Sequence, residues 1–177
     1  IPEIQPATYN TYKNILFKGT CTVSNGDFSF SFIVPKDINY QIGNGRISYY
    51  AQSDANNTDA HGYQNDIMIG GSADSFALDN DGPQIKLFMN DEKFVFGGIT
   101  NESPKLLAKL EDKSGINTTG NGLGHDLTAI LDVNTKNPIV LNQFYESELD
   151  NFRKGKVTYP FSKLTEGRHT LRVKAWD

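Results

Sequence analysis

Side chains able to do chemistry gather in residues 112–126, which read Asp-Lys-Ser-Gly-Ile-Asn-Thr-Thr-Gly-Asn-Gly-Leu-Gly-His-Asp. Ser114, His125 and the flanking Asp112 and Asp126 supply the residue types of a hydrolase triad, in which histidine takes the serine proton and a carboxylate orients the ring. That chemistry is defined by spatial geometry, and the sequence shows neither a sharp elbow under Ser114 nor a donor pair for an oxyanion. Asp and Ser side chains in such a stretch more simply cap neighbouring backbone amides in turns. No catalytic residue is assigned.

Other chemistries find equally little support. Gly120, Gly122 and Gly124 alternate, whereas a dinucleotide-binding loop needs G-x-G-x-x-G between a strand and a helix. The segment after them reads as another strand, so a glycine-rich connection explains them and no cofactor-binding residue is assigned. His61, His125 and His169 lack the close spacing of a zinc site, and no metal ligand is assigned. Asp79-Asn-Asp-Gly82 resembles the opening of a calcium loop, but Asn90 stands where the bidentate Glu is needed, so a plain turn is favoured while loop-bound calcium stays open. Cys21 falls in register with Phe17 and Val23 on an apolar strand face, where a thiol behaves as a small buried hydrophobe. Tyr49, Tyr50, Tyr63 and Trp176 are the aromatics that could stack on sugar rings; alternation puts Tyr49 and Tyr50 on opposite faces, and sets Trp176 with Thr170, Arg172 and Lys174.

The elements that must carry these residues read as strands. Phe28, Phe30, Phe32 and Val34 alternate with their neighbours, as do Ile85, Leu87 and Met89, and Leu171, Val173 and Ala175. Each row is expected to enter a core, because successive strand side chains point to opposite faces. The pattern predicts strands over 15–23, 27–34, 45–51, 66–69, 84–89, 106–111, 127–131, 138–141, 156–159 and 169–176. Asn25-Gly26 supplies the positive φ pair of a tight hairpin between the first two. One short helix is expected over 145–152, and 52–65 and 71–83 are expected to be long surface loops. Many short strands and Gly/Asn/Asp-rich connections favour an all-β fold, an immunoglobulin-like antiparallel β-sandwich, over residues 1–177 as a single domain cut from a larger protein.

Bulk properties narrow the function. The 177 residues carry a net charge of −4, with Lys and Arg scattered, which disfavours a nucleic-acid partner. The single cysteine excludes a disulfide within the chain. No run approaches the roughly 18 apolar residues of a membrane-spanning helix.

Several strings occur together in a fixed order: 34–39 (Val-Pro-Lys-Asp-Ile-Asn), 45–51 (Gly-Arg-Ile-Ser-Tyr-Tyr-Ala), 59–62 (Asp-Ala-His-Gly), 82–91 (Gly-Pro-Gln-Ile-Lys-Leu-Phe-Met-Asn-Asp) and 97–102 (Gly-Gly-Ile-Thr-Asn-Glu). They are followed by the 112–126 stretch, Leu141-Asn142, 155–160 (Gly-Lys-Val-Thr-Tyr-Pro) and 166–177. Taken in order, from about Phe17 to Asp177, they resemble the region downstream of the caspase-like catalytic domain in the PorU-like sortases of type IX secretion, a gingipain-related cysteine peptidase family. The resemblance implies a non-catalytic domain of a cell-surface, outer-membrane-associated enzyme that removes C-terminal signals from exported cargo and attaches the cargo to anionic lipopolysaccharide. Implied partners are the parent catalytic domain, the cargo signal domain and a PorV-like outer-membrane protein. The family's nucleophilic Cys and its His lie upstream of the matched region, and no residue here inherits their role. The rival expectation, a carbohydrate-binding or adhesive module, calls for an aromatic pair flanked by polar residues on one face. A third, a self-sufficient hydrolase using His125 or His169, calls for a concave site around a shifted histidine.

Overall fold

The computed structural model describes residues 14–177 except 37, 39, 54, 56, 74–78 and 121–123. The described residues form antiparallel sheets and no α-helix. β1 (Gly43–Ser53) and β2 (Thr58–Ile69) pair as a two-stranded ribbon. β3 (Gln84–Met89), β4 (Lys105–Glu111), β7 (Tyr145–Glu148) and β8 (Asn151–Pro160) form a four-stranded sheet in the order β3-β4-β8-β7. The remaining strands, β5 (Thr128–Leu131), β6 (Ile139–Val140) and β9 (Leu171–Lys174), make a three-stranded sheet in the order β6-β5-β9. The chain is therefore an all-β sandwich with a ribbon attached.

Alternation builds the core. Leu106, Ala108 and Leu110 of β4 are buried while Lys105 and Glu111 at the strand ends are exposed, and Val157 of β8 and Tyr145 of β7 extend the same apolar row. From the other sheet, Ala129 meets them with the flanking Leu127 and Leu141, and Leu171, Val173 and Ala175 pack against the cluster as expected. A fully buried leucine contributes about 1.5–3 kcal/mol, so truncating Leu106, or the equally buried Leu127 or Leu141, to Ala would cost about 2–5 kcal/mol and threaten the sandwich.

Four expectations are corrected. Residues 145–152 are strands, not a helix: Tyr145 and Ser147 are buried in alternation, Asp150 turns the chain with φ 56, and β8 begins at Asn151. Pairing with β8 satisfies backbone groups that a helix would have satisfied locally, and among the described residues only the three-residue 3₁₀ turn Asn142–Phe144 is helical. Residues 52–53 and 58–65 continue β1 and β2 rather than forming a loop. The stretch 71–83 carries no strand among its described residues.

The third correction concerns 15–23 and 27–34. Asn25 (φ 52) and Gly26 (φ 89) make the expected tight turn, but the ladder stops at one Ser24–Asp27 bridge. The segment instead follows the sandwich edge, where Lys18 and Thr20 carbonyls accept from the Ser147 and Asp150 amides and both the amide and the hydroxyl of Thr22 donate to the Asp150 carboxylate. Cys21 is half-buried there, outside the core cluster. Fourth, Phe28, Phe30 and Val34 stay exposed; Phe30 and Phe32 stack on Phe17 at 5.8 and 4.8 Å. Leu87 likewise remains exposed while Ile85 and Met89 pack inward. No helix among the described residues is long and apolar enough to cross a membrane.

Candidate functional site

The groups flagged by residue type are brought together differently from their order in the chain. Asp79, Asp112 and Asp177 place carboxylate oxygens within 4.8 Å of one another. Asp112 sits just past β4, where its Oδ1 accepts from the Ser114 amide at 2.7 Å, the local cap expected of an Asp-x-Ser turn. Ser114 donates its hydroxyl to Asp79 at 3.0 Å rather than to a histidine. Burial pushes the Asp112 pKa up, and the neighbouring Asp177 and Asp79 charges add to it. The pKa of the half-buried Asp79 is held down first by the Asp81 amide and then by the Ser114 hydroxyl.

Chemically, this trio is a like-charge cluster of oxygen donors at one end of the sandwich. Such donors suit a hard cation, although calcium takes roughly six to eight oxygens and three carboxylates supply only part of that set. Asp79 is thus the member of the calcium-like string that meets other acids, while the Asp81 carboxylate makes a long, exposed pair with Lys113 at 3.9 Å. Asp177 was not foreseeable as its companion, because nothing in a local pattern links residues so far apart. The three histidines do not form a metal-ligating group among the described residues.

His125 lies against Trp176, with ring centroids 4.6 Å apart and planes tilted by 42°. Lys174 places its ammonium 4.0 Å from the centre of the same indole, as their shared strand face anticipates. Asp126 is engaged elsewhere, accepting from the Asn142 amide at 3.0 Å. His169 forms a second local unit: Nδ1 is 2.6 Å from Asp132 and Nε2 is 2.7 Å from the Thr165 carbonyl. The Thr165 carbonyl first, and the Asp132 carboxylate second, raise its pKa. Asp132 also accepts from the Thr170 amide, so the unit ties the β5 turn to the start of β9.

A hollow of about 410 Å³ opens between the 14–15 segment and the turn around Asn142. Its polar lining is largely committed to internal bonds, since Asn142 spans Thr118, Asp126 and Leu127. The most exposed apolar residues lie on the β3–β4 loop: Phe96 and Ile99 are 101% and 98% exposed. Asp91, Asn101 and Asn90 each bond backbone amides within or beside this loop, which holds its shape without burying its tip.

On the ribbon, Tyr50 pairs with His61 and Ser48 with Tyr63, so Tyr50 and Tyr63 share one face while Tyr49 turns to the other and meets Phe28 at 5.6 Å. Arg46 stands 4.5 Å from the centre of the Tyr63 ring.

No family model and no curated protein matches the chain. Among solved structures, dimeric latent PorU from Porphyromonas gingivalis matches with a TM-score of 0.55 and 37% sequence identity over 85% of this chain. The chain spans only 14% of that PorU chain. Identity at that level across most of this chain supports its being a PorU-like β-domain.

Proposed function

We propose that the chain is a non-catalytic β-sandwich domain of a PorU-like cell-surface cysteine peptidase, one that removes C-terminal secretion signals from type IX cargo and attaches the cargo to anionic lipopolysaccharide. The observation that carries this reading is the match to PorU over 85% of the chain at 37% identity. In the parent, thiolate attack on the scissile amide, acyl-enzyme formation and aminolysis by the glycolipid belong to the catalytic domain. This domain's part is positional: it supports the catalytic domain, or it docks the cargo signal or a PorV-like outer-membrane protein on the extracellular side.

The β3–β4 loop supports the positional role. A loop held by its own side-chain bonds on a packed sandwich presents contact surface without weakening the core, and a fully exposed Phe96–Ile99 tip gains most by being covered. The test uses the full-length parent with Phe96→Asp and Ile99→Asp introduced together. Expected is loss of co-purification with the cargo signal domain or the PorV-like protein, or weaker docking of the catalytic domain seen as new protease-sensitive sites between domains. Unchanged secretion, cargo processing and protease pattern would remove the loop from the reading. An upstream sequence without a caspase-like Cys and His would remove the parentage itself.

A further inference from the structure

The outer face of the β1–β2 ribbon carries a ligand-binding pattern that the sandwich does not use. It displays Arg46, Ser48 and Tyr50 from β1 and Asp59, His61 and Tyr63 from β2, all exposed. Tyr50 and Tyr63 leave 67% and 64% of their surface in solvent. Each ring is held in place from one side: the Tyr50 hydroxyl donates to Asp59 at 3.2 Å, and the Arg46 guanidinium covers Tyr63 while its Nε donates to Ser48 at 3.3 Å. The rings are therefore oriented in advance, which lowers the entropy a ligand must offset.

We infer that this face binds an uncharged oligosaccharide, its pyranose rings stacking on Tyr50 and Tyr63 and its hydroxyls meeting Arg46, Asp59 and His61. Three properties single out that occupant. Over residues 46–52 and 59–63 the face carries only aromatic rings and hydrogen-bonding groups, the combination a sugar presents in reverse with its C–H face and its hydroxyls, and the exposed Met68 on the same side lies beyond this stretch, opposite Asn44. Arg46 and Asp59 balance in charge, so no strongly charged ligand is selected. The strip is about 20 Å long and two strands wide, on the order of 200 Å², against roughly 800 Å² per partner for a stable protein interface. It is large enough for a few sugar units and too small for a protein alone. The inference is independent of the parentage.

The probes are maltohexaose, mannohexaose and chitohexaose, each titrated to millimolar concentration into the ¹⁵N-labelled 177-residue chain with amide shifts recorded. Expected are saturable shifts confined to residues 46–52 and 59–63 with at least one probe, weakened about tenfold or more by Tyr50→Ala and by Tyr63→Ala. Tyr50→Trp should retain or tighten binding, and Tyr40→Ala, which removes another exposed tyrosine off the ribbon, should leave it unchanged. Overturning results are absence of shifts with all three sugars, shifts elsewhere on the chain, binding that survives both alanine substitutions, or shifts at the face that follow protein concentration and so report a second copy.

Discussion

The phenol ring of Tyr145 lies over Gly155 on the neighbouring strand, and a Cβ at residue 155 would collide with the ring and stand 2.6 Å from the Glu146 carbonyl oxygen. Tyr145 is buried, which raises its pKa to about 12, and glycine is the side chain that lets it lie flat against β8. Gly155→Ala is expected to cost about 1–3 kcal/mol because the backbone carbonyl cannot yield as a flexible side-chain tip could. At about 2–4 °C per kcal/mol for a chain of this size, a thermal melt should show it plainly. A melt equal to wild type would show that the β7–β8 contact relaxes at little cost.

Val133 has φ 59 and is 73% exposed in the turn after β5. A β-branched residue in the left-handed region carries strain of about 1–2 kcal/mol that no buried contact offsets. Val133→Asn or Val133→Gly should therefore raise stability, read as a higher denaturant midpoint with unchanged slope. Lower stability in both variants would mean that Val133 makes contacts its exposure does not reveal.

Asp112 is the acid whose charge the fold disfavours, and its pKa is raised by burial first. The sign follows: a carboxyl with a raised folded pKa favours the fold most at low pH, and that contribution is lost as pH climbs through the folded pKa. Asp112→Asn keeps an acceptor for the Ser114 amide and removes the charge facing Asp79 and Asp177. In EDTA, the variant should melt above wild type at neutral pH, with the gap closing toward pH 4. A gap that is absent or reversed at neutral pH would show that the trio is not repulsive.

His169 follows the same sign as Asp112, and its partner Asp132 the opposite one. A raised imidazole pKa contributes stability below the unfolded value of about 6.5 that disappears as pH rises through the folded pKa. Asp132, lowered first by the Thr170 amide and then by His169, contributes above the unfolded carboxylate range and loses this as acid protonates it. An NMR titration should place His169 above ordinary histidine, and Asp132→Asn should bring it part of the way down, with the Thr165 carbonyl holding the remainder. A His169 titration unmoved by Asp132→Asn would dissolve the pair.

Much of the sandwich was legible from alternation alone. Residues 106–111 form a strand in which more and less buried side chains change place at every step, 84–89 pair beside them although Leu87 breaks the row, and the Asn25-Gly26 turn follows from two residues that tolerate positive φ. Tyr145, Ser147 and Gly155 were harder, since a stretch of short polar residues gives no period until the partner strand is present. The Phe28–Phe32 row shows the converse: a clean period marks a face but not what covers it.

Composition and pattern alone determined that this chain builds antiparallel sheets, because a two-residue period can bury only one side of a strand. Which faces and which acids meet was decided in three dimensions. The β1–β2 register, regular from the turn back to Ile47, sets Tyr63 opposite Ser48 and so on the Tyr50 face, and it shifts only between Gly45 and Ile47. Asp177 joins Asp79 and Asp112 because sheet closure, not local sequence, returns the end of the chain to the strand that starts the core. Side-chain period is a local property of the backbone, whereas register and closure depend on the energy of all the contacts at once.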